Sequence, residues 1–188
     1  AILGPSGTGK SSLAALLLRA ASPQEGQICL GGEDITTIRP DAVRSKMAWL
    51  SQATHLFDDT IRANLLLGRP DASEDDLWKA LDQAAVSDVV RSLPEGLDTW
   101  VGEGGIRLSG GQGRRIALAR TLLAPAPILI LDEPATGLDA QTEQDFLRTL
   151  NTVTEGRTVI LIAHRLTGVE KLDRIWRLSD GVAKAAAG

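Results

Sequence analysis

The hydrophobic positions of this chain fall into two alternating kinds of segment. After Gly9 the apolar residues Leu13, Leu16, Leu17 and Ala20 recur at helical spacing, until Pro23 and Gly26 break the pattern. Short apolar runs of another kind, Ala1–Leu3 ending at Gly4, Gln27–Leu30 closed by Gly31-Gly32, and Met47–Leu50, read as strands. From Asp59 to about Leu93 the pattern is helical and lacks strand character. Within it, Ser73-x-x-Asp76 ahead of Leu77, Ala80, Leu81 and Ala84 predicts a capped amphipathic helix. Gly96 to Gly111, with six glycines, predicts a loop, and a helix follows through Leu123. Ile128–Leu131, Thr158–Ala163 and Arg174–Leu178 are nearly continuous apolar runs, the last ahead of an Asp180-Gly181 turn. Strands without polar alternation belong to a sheet covered on both faces. The expected fold is therefore α/β, a mainly parallel sheet with a helical insertion at about residues 53–123. No internal repeat is visible, and Ala185–Gly188 reads as a frayed tail.

Composition narrows the classes. At 188 residues the chain suits one domain, by the rule of about 150 residues each. Its 43% hydrophobic and 23% charged content excludes disorder and collagen-like repeats. A net charge of −4 argues against a nucleic-acid partner gripped through its phosphates. Cys29 is the sole cysteine, so no internal disulfide can form. The longest apolar stretch, around Leu122–Leu131, is interrupted by Pro125 and Pro127 and falls short of the ~20 residues that cross a bilayer. No basic-then-apolar leader opens the chain. Ala1 stands where a strand should already be under way, so we expect the first strands to lie upstream of it.

Three segments carry chemistry. Gly4-Pro5-Ser6-Gly7-Thr8-Gly9-Lys10-Ser11 satisfies G-x-x-x-x-G-K-[ST] between a strand end and a helix start, the context of a P-loop. Its glycines let backbone N–H groups curl around phosphate oxygens at a helix N-terminus, and Ser12 follows within that first turn. Lys10 supplies a point charge to the phosphates, and the Ser11 hydroxyl can ligate Mg²⁺. Asp132 and Glu133 end a buried strand, where ligands of open α/β sheets sit. Asp132 can hold Mg²⁺ through water, and Glu133 can act as general base on a water attacking the γ-phosphate. Leu108-Ser109-Gly110-Gly111-Gln112 lies ahead of the next helix, with Ser109 placed to cap it. A hydroxyl and two unobstructed glycine N–H groups there form a second anion grip. Since one phosphate cradle is already complete, a second suggests a γ-phosphate held between two protomers.

Together these segments resemble the nucleotide-binding domain of ABC transporters, over the whole chain and with the motifs in the family's order. The resemblance implies a P-loop ATPase domain spanning residues 1–188, ATP and Mg²⁺ as cofactors, and Leu108–Gln112 as the signature. It makes Gln52 the Q-loop glutamine that serves Mg²⁺ and couples to a membrane domain, and His164 the switch histidine on the γ-phosphate. Ala135–Asp139 takes the place of the D-loop, so Asp139 is expected at the nucleotide site. Thr-Gly-Leu-Asp stands there for the usual Ser-Ala-Leu-Asp, which puts altered crosstalk at Gly137. His55 and Cys29 match nothing catalytic and are expected to be structural.

Within the family, Thr99–Gly105 and His55–Asn64 are similar to exporter segments. Trp100 and Gly104 depart from the usual Glu and Arg, and with His164–Gly168 they resemble the heterodimeric thiol reductant exporter of cytochrome bd assembly. The resemblance implies a second nucleotide-binding domain, identical or not, and a transmembrane domain fused upstream. It places the chain at the cytoplasmic face of the inner membrane. An ABC importer subunit, a soluble ABC ATPase and a generic P-loop kinase are the other readings. The kinase should lack both Leu108–Gln112 and His164. The aromatic residue that stacks on adenine in the family would lie upstream of Ala1, so weak nucleotide binding by this piece alone is expected.

Overall fold

The computed structural model describes residues 1–53, 55–103, 106 and 108–186. Strand β1 (Ile2–Leu3) leads into helix α1 (Lys10–Leu17), a two-residue hairpin of β2 (Cys29–Leu30) and β3 (Glu33–Asp34), the short α2 (Pro40–Arg44), and β4 (Met47–Leu50). The middle of the chain comprises β5 (Asp59–Thr60), α3 (Ile61–Leu66), α4 (Glu74–Gln83), α5 (Ser87–Ser92), a 3₁₀ turn at Gly96–Asp98 and β6 (Trp100–Val101). Then come α6 (Gly110–Leu123), β7 (Ile128–Asp132), α7 (Ala140–Val153), β8 (Thr158–Ala163), β9 (Ile175–Ser179) and β10 (Val182–Ala186).

The main sheet runs β10-β9-β1-β8-β7-β4, parallel except for the terminal β9–β10 hairpin. Strand β7 shows why its sequence is apolar without alternation. Leu129 and Leu131 face a large core shared with α4, α6 and α7, while Ile130 points the other way, onto Ala14 and Leu18 of the α1 segment. All three are fully buried. Helix α4 is amphipathic as expected, with Ser73 and Asp76 forming a reciprocal capping box and Leu77, Ala80 and Leu81 buried. Helix α6 differs. Ile116, Ala117, Leu118, Ala119, Leu122 and Leu123 are buried around most of its circumference, because α3 and α4 pack on one side of it and β4 on the other. It joins the helical insertion to the sheet.

Register fixes the site. Leu50 pairs with Leu131, Asp132 with Ile162, and Leu3 with Ala163. Gln52, Asp132, His164 and the P-loop therefore leave the sheet at the same, C-terminal, edge.

Three expectations need correction. The Asp59–Leu93 segment opens with strand residues, since β5 pairs antiparallel with β6. Gly96–Gly111 is not all loop, because it holds the 3₁₀ turn and β6, and α6 already starts at Gly110. Ala185 is not frayed: it pairs with Trp176, and Ala186 with Ile175, while residues 187 and 188 lie outside the described residues.

Candidate nucleotide site

The P-loop is built by close approach as well as by free N–H groups. A side chain on Gly4 would place Cβ 2.6 Å from the Leu178 carbonyl oxygen and 2.8 Å from Thr8 Oγ1, so only glycine fits beside β9. Gly9 precedes α1 in the left-handed region (φ 98°), turning the chain into the helix. Thr8 Oγ1 donates to the Pro5 carbonyl (2.8 Å) and stiffens the loop. Lys10 is 8% exposed, and its ammonium donates to the carbonyls of Gly4 (2.6 Å) and Pro5 (2.9 Å). The loop thus presents a desolvated cation beside its own amides, which suits a polyphosphate.

Ser6, Gly7, Gly9, Lys10, Ser11, Ser12, Gln52, Asp132 and Glu133 line one cavity. Asp132 is 3% exposed, and its carboxyl is pushed above the usual range by burial and then by the Glu133 charge. Arg114, Lys10 and His164 oppose that rise. A cation near this carboxylate would relieve the desolvation. Among the described residues no three His, Cys, Asp or Glu side chains gather into a metal cage. A divalent ion here would take Asp132, the exposed Ser11 hydroxyl and Gln52 from the protein and complete its shell with phosphate oxygens and water, the habit of Mg²⁺.

Glu133 is held from several directions. Its backbone is left-handed (φ 50°), a conformation costing a non-glycine residue roughly 1–2 kcal/mol. Its N–H donates to Ile162 O at 2.8 Å. Its carboxylate lies 2.6 Å from His164 Nε2, which must be the donor because a carboxylate only accepts, and 3.4 Å from the Thr136 hydroxyl. His164 and Glu133, expected as switch and general base, are thus in direct contact.

The signature stands apart. Ser109 caps α6, accepting from Gln112 N–H (3.2 Å), while the Gln112 side chain accepts from Ser109 N–H (3.0 Å). Among the described residues nothing lies within 4 Å of where a Cβ on Gly110 or Gly111 would be, and both amides belong to the first turn of α6, where N–H groups have no acceptor within the helix. Ser109 and Gly110 line a cavity that shares no residue with the P-loop cavity. Asp139 does not reach that cavity either. Its carboxylate accepts from Gln141 N–H, Thr142 N–H and the Thr142 hydroxyl, capping α7. Trp100 Nε1 donates to Asp58 at 2.9 Å, and Gly104 and Gly105 lie outside the described residues. Cys29 is exposed rather than packed. The exposed His55 contributes its carbonyl as acceptor for Arg120.

One residue the motifs did not reveal is Arg114. It is 8% exposed on the second turn of α6 and donates to the carbonyls of Gln52, Asp132 and Glu133. Burial lowers its pKa, opposed by Asp132 and Glu133.

The family model described as ABC transporter matches residues 1–136 of this chain. The chain belongs to the ABC transporter family. It is 45% identical over 181 residues to the ATM1-type heavy metal exporter of Novosphingobium aromaticivorans, covering 96% of this chain and 30% of that protein. The Bacillus subtilis glutathione/L-cysteine transport system ATP-binding/permease protein CydD is also 45% identical over 181 residues, covering 96% of this chain and 31% of that protein. The ATP-dependent lipid A-core flippase of Ralstonia nicotianae is 44% identical over 184 residues, 96% of this chain and 31% of its own. Among solved structures, an ATP-bound bacterial Atm1-family ABC exporter matches with a TM-score of 0.88 at 44% identity, over 96% of this chain and 32% of that one. The α/β architecture and the likeness to exporter-type ABC nucleotide-binding domains both follow. This chain spans about a third of the length of these relatives.

Proposed function

We propose that this chain is the ATP-hydrolysing motor of an ABC exporter. The observation that carries the reading is the meeting of Lys10, Asp132, Glu133 and His164 at one sheet edge, with His164 Nε2 2.6 Å from the Glu133 carboxylate. The P-loop amides and Lys10 grip the phosphates, and Ser11, Gln52 and Asp132 hold Mg²⁺. The ion, when bound, neutralises charge on the phosphates. Glu133 accepts a proton from water as the water oxygen bonds to the γ-phosphorus, the bond to the bridging oxygen breaks, and ADP leaves. His164 orients that carboxylate and steadies the γ-phosphate.

The signature's first-turn amides lie outside the P-loop cavity of their own chain, which favours a second nucleotide-binding domain, identical or not, supplying Ser109, Gly110 and Gly111 across a shared ATP. Asp139 enters as the cap of the D-loop turn, not as a phosphate ligand. The exposed Trp49, Phe57 and Leu67 favour a membrane-domain partner, and a transmembrane domain fused upstream, with this domain at the cytoplasmic face of the inner membrane, belongs to the same reading. For cargo we propose cysteine- or glutathione-type thiols, on Trp100 and on His164–Gly168.

Two experiments test this. Glu133→Gln in the full-length protein should trap an ATP-bound closed dimer, and turnover at the normal rate would remove Glu133 as base. Inside-out vesicles bearing the full-length protein and its partner should accumulate labelled glutathione or cysteine in the presence of ATP. Uptake of neither thiol would remove the cargo assignment and leave the motor intact.

A further inference from the structure

Arg114 spans two segments that the proposed mechanism treats separately. It sits five residues past the Ser109 cap, on the helix that carries the signature. Nη1 donates to the Gln52 carbonyl at 2.6 Å. Nε and Nη2 donate to the Glu133 carbonyl at 3.2 and 3.1 Å, and Nη2 also donates to the Asp132 carbonyl. The Asp132 and Glu133 carbonyls belong to the peptide units that follow those residues, so together they bracket the left-handed backbone of Glu133. With its N–H fixed on Ile162, Glu133 has little freedom to relax.

We propose that Arg114 is a positioning residue for hydrolysis: it clamps the left-handed turn that aims the Glu133 carboxylate and ties that turn to the Gln52 segment and the signature helix. The inference rests on the reading of Glu133 as the base. The planar guanidinium suits the task because its fixed fork of donors reaches carbonyls from two chain segments at once, whereas a lysine ammonium is a single point. These three acceptors are carbonyl oxygens, so the bonds to them order backbone and do not engage either carboxylate. A shift of α6 or of the Gln52 segment is thereby felt at the base.

The test compares Arg114→Lys and Arg114→Gln in the full-length protein, with Glu133→Gln alongside. Steady-state hydrolysis gives kcat and KM for ATP, and a fluorescent ATP analogue reads binding directly. Positioning predicts a fall in kcat of at least about tenfold in both variants, the scale of a small misplacement of reacting groups. KM and analogue binding should stay within about twofold, with lysine less impaired than glutamine. A kcat within about twofold of the parent in both variants overturns the proposal, as does a loss seen only in KM. Loss of folding in both assigns Arg114 a purely structural part and overturns it too. If one variant folds, it decides. Normal turnover in Glu133→Gln defeats the reading of the base; arrest there with normal Arg114 variants defeats only the clamp.

Discussion

Replacing His164 with alanine removes the Nε2 donor that lies 2.6 Å from the Glu133 carboxylate. A hydrogen bond to a charged partner contributes about 1.5–3 kcal/mol. The Glu133 side chain is 14% exposed, but His164 is 44% exposed, so water competes for the bond and the lower figure applies. About 1.5 kcal/mol corresponds to roughly tenfold in rate. Loss of the proposed base, in Glu133→Ala, should cost about 10²–10⁴-fold. If His164 acts by aiming Glu133, the two losses cannot multiply: His164→Ala on a Glu133→Ala background should slow hydrolysis little further. Single-turnover phosphate release from the full-length protein at saturating ATP measures all four corners of the cycle. A double variant slower than Glu133→Ala by the full factor seen for His164→Ala alone would show independent action and refute the orienting role. So would a His164→Ala phenotype confined to KM.

Other outcomes follow from the same geometry. Ser109→Ala removes the acceptor for Gln112 N–H and should lower stability by about 1 kcal/mol, read as a drop of roughly 2–4 °C in the unfolding temperature. Gly137 is left-handed (φ 85°), and a Cβ there would make only ordinary contact, 3.9 Å from Gly111 Cα. Gly137→Ala should therefore cost about 1 kcal/mol for conformation alone, and Gly137→Asn less; equal costs in thermal unfolding would contradict this. Acid should unfold the protein progressively. The Ser73 side chain holds Asp76 below its usual pKa, the Arg62 guanidinium does so for Asp98, and Thr142 for Asp139. For an acid with a depressed folded pKa, the stabilisation is present above the unfolded pKa, about 4, and is lost as pH falls through the folded value. The unfolding temperature should hold above that pH and decline below it, and Asp98→Asn should flatten the decline.

The P-loop, the Asp132-Glu133 strand end and the Ser109 cap were legible because each is a local pattern: adjacent residues, one turn, one strand end. The short β5–β6 pair was not, since two residues show no periodicity, and its partners lie about forty residues apart. Strand β10 had a signal. Asp180 and Gly181 both have positive φ, the geometry of a two-residue hairpin turn, so a strand should follow. The alanines and lysine of β10 hide it, being poor strand formers. Asp139 is expected at the nucleotide site by family likeness alone; locally it is an Asp three residues before Thr142, an N-cap arrangement, and it caps α7.

Arg114 was illegible for a different reason, and it explains how the site coheres. A buried arginine needs its donors satisfied, and the carbonyls that Arg114 binds at Gln52, Asp132 and Glu133 lie 62, 18 and 19 residues away in sequence. The partners come from β7's end and from the Gln52 segment, brought together only when β4 pairs with β7 in the Leu50–Leu131 register. A one-residue slip of that pairing would move Gln52 away from Glu133 and leave the guanidinium without one of its acceptors. The continuous apolar runs of β4 and β7 therefore do more than build a core. By fixing the register they place the carbonyls that Arg114 binds, and Arg114 in turn joins α6 to Glu133, the proposed base.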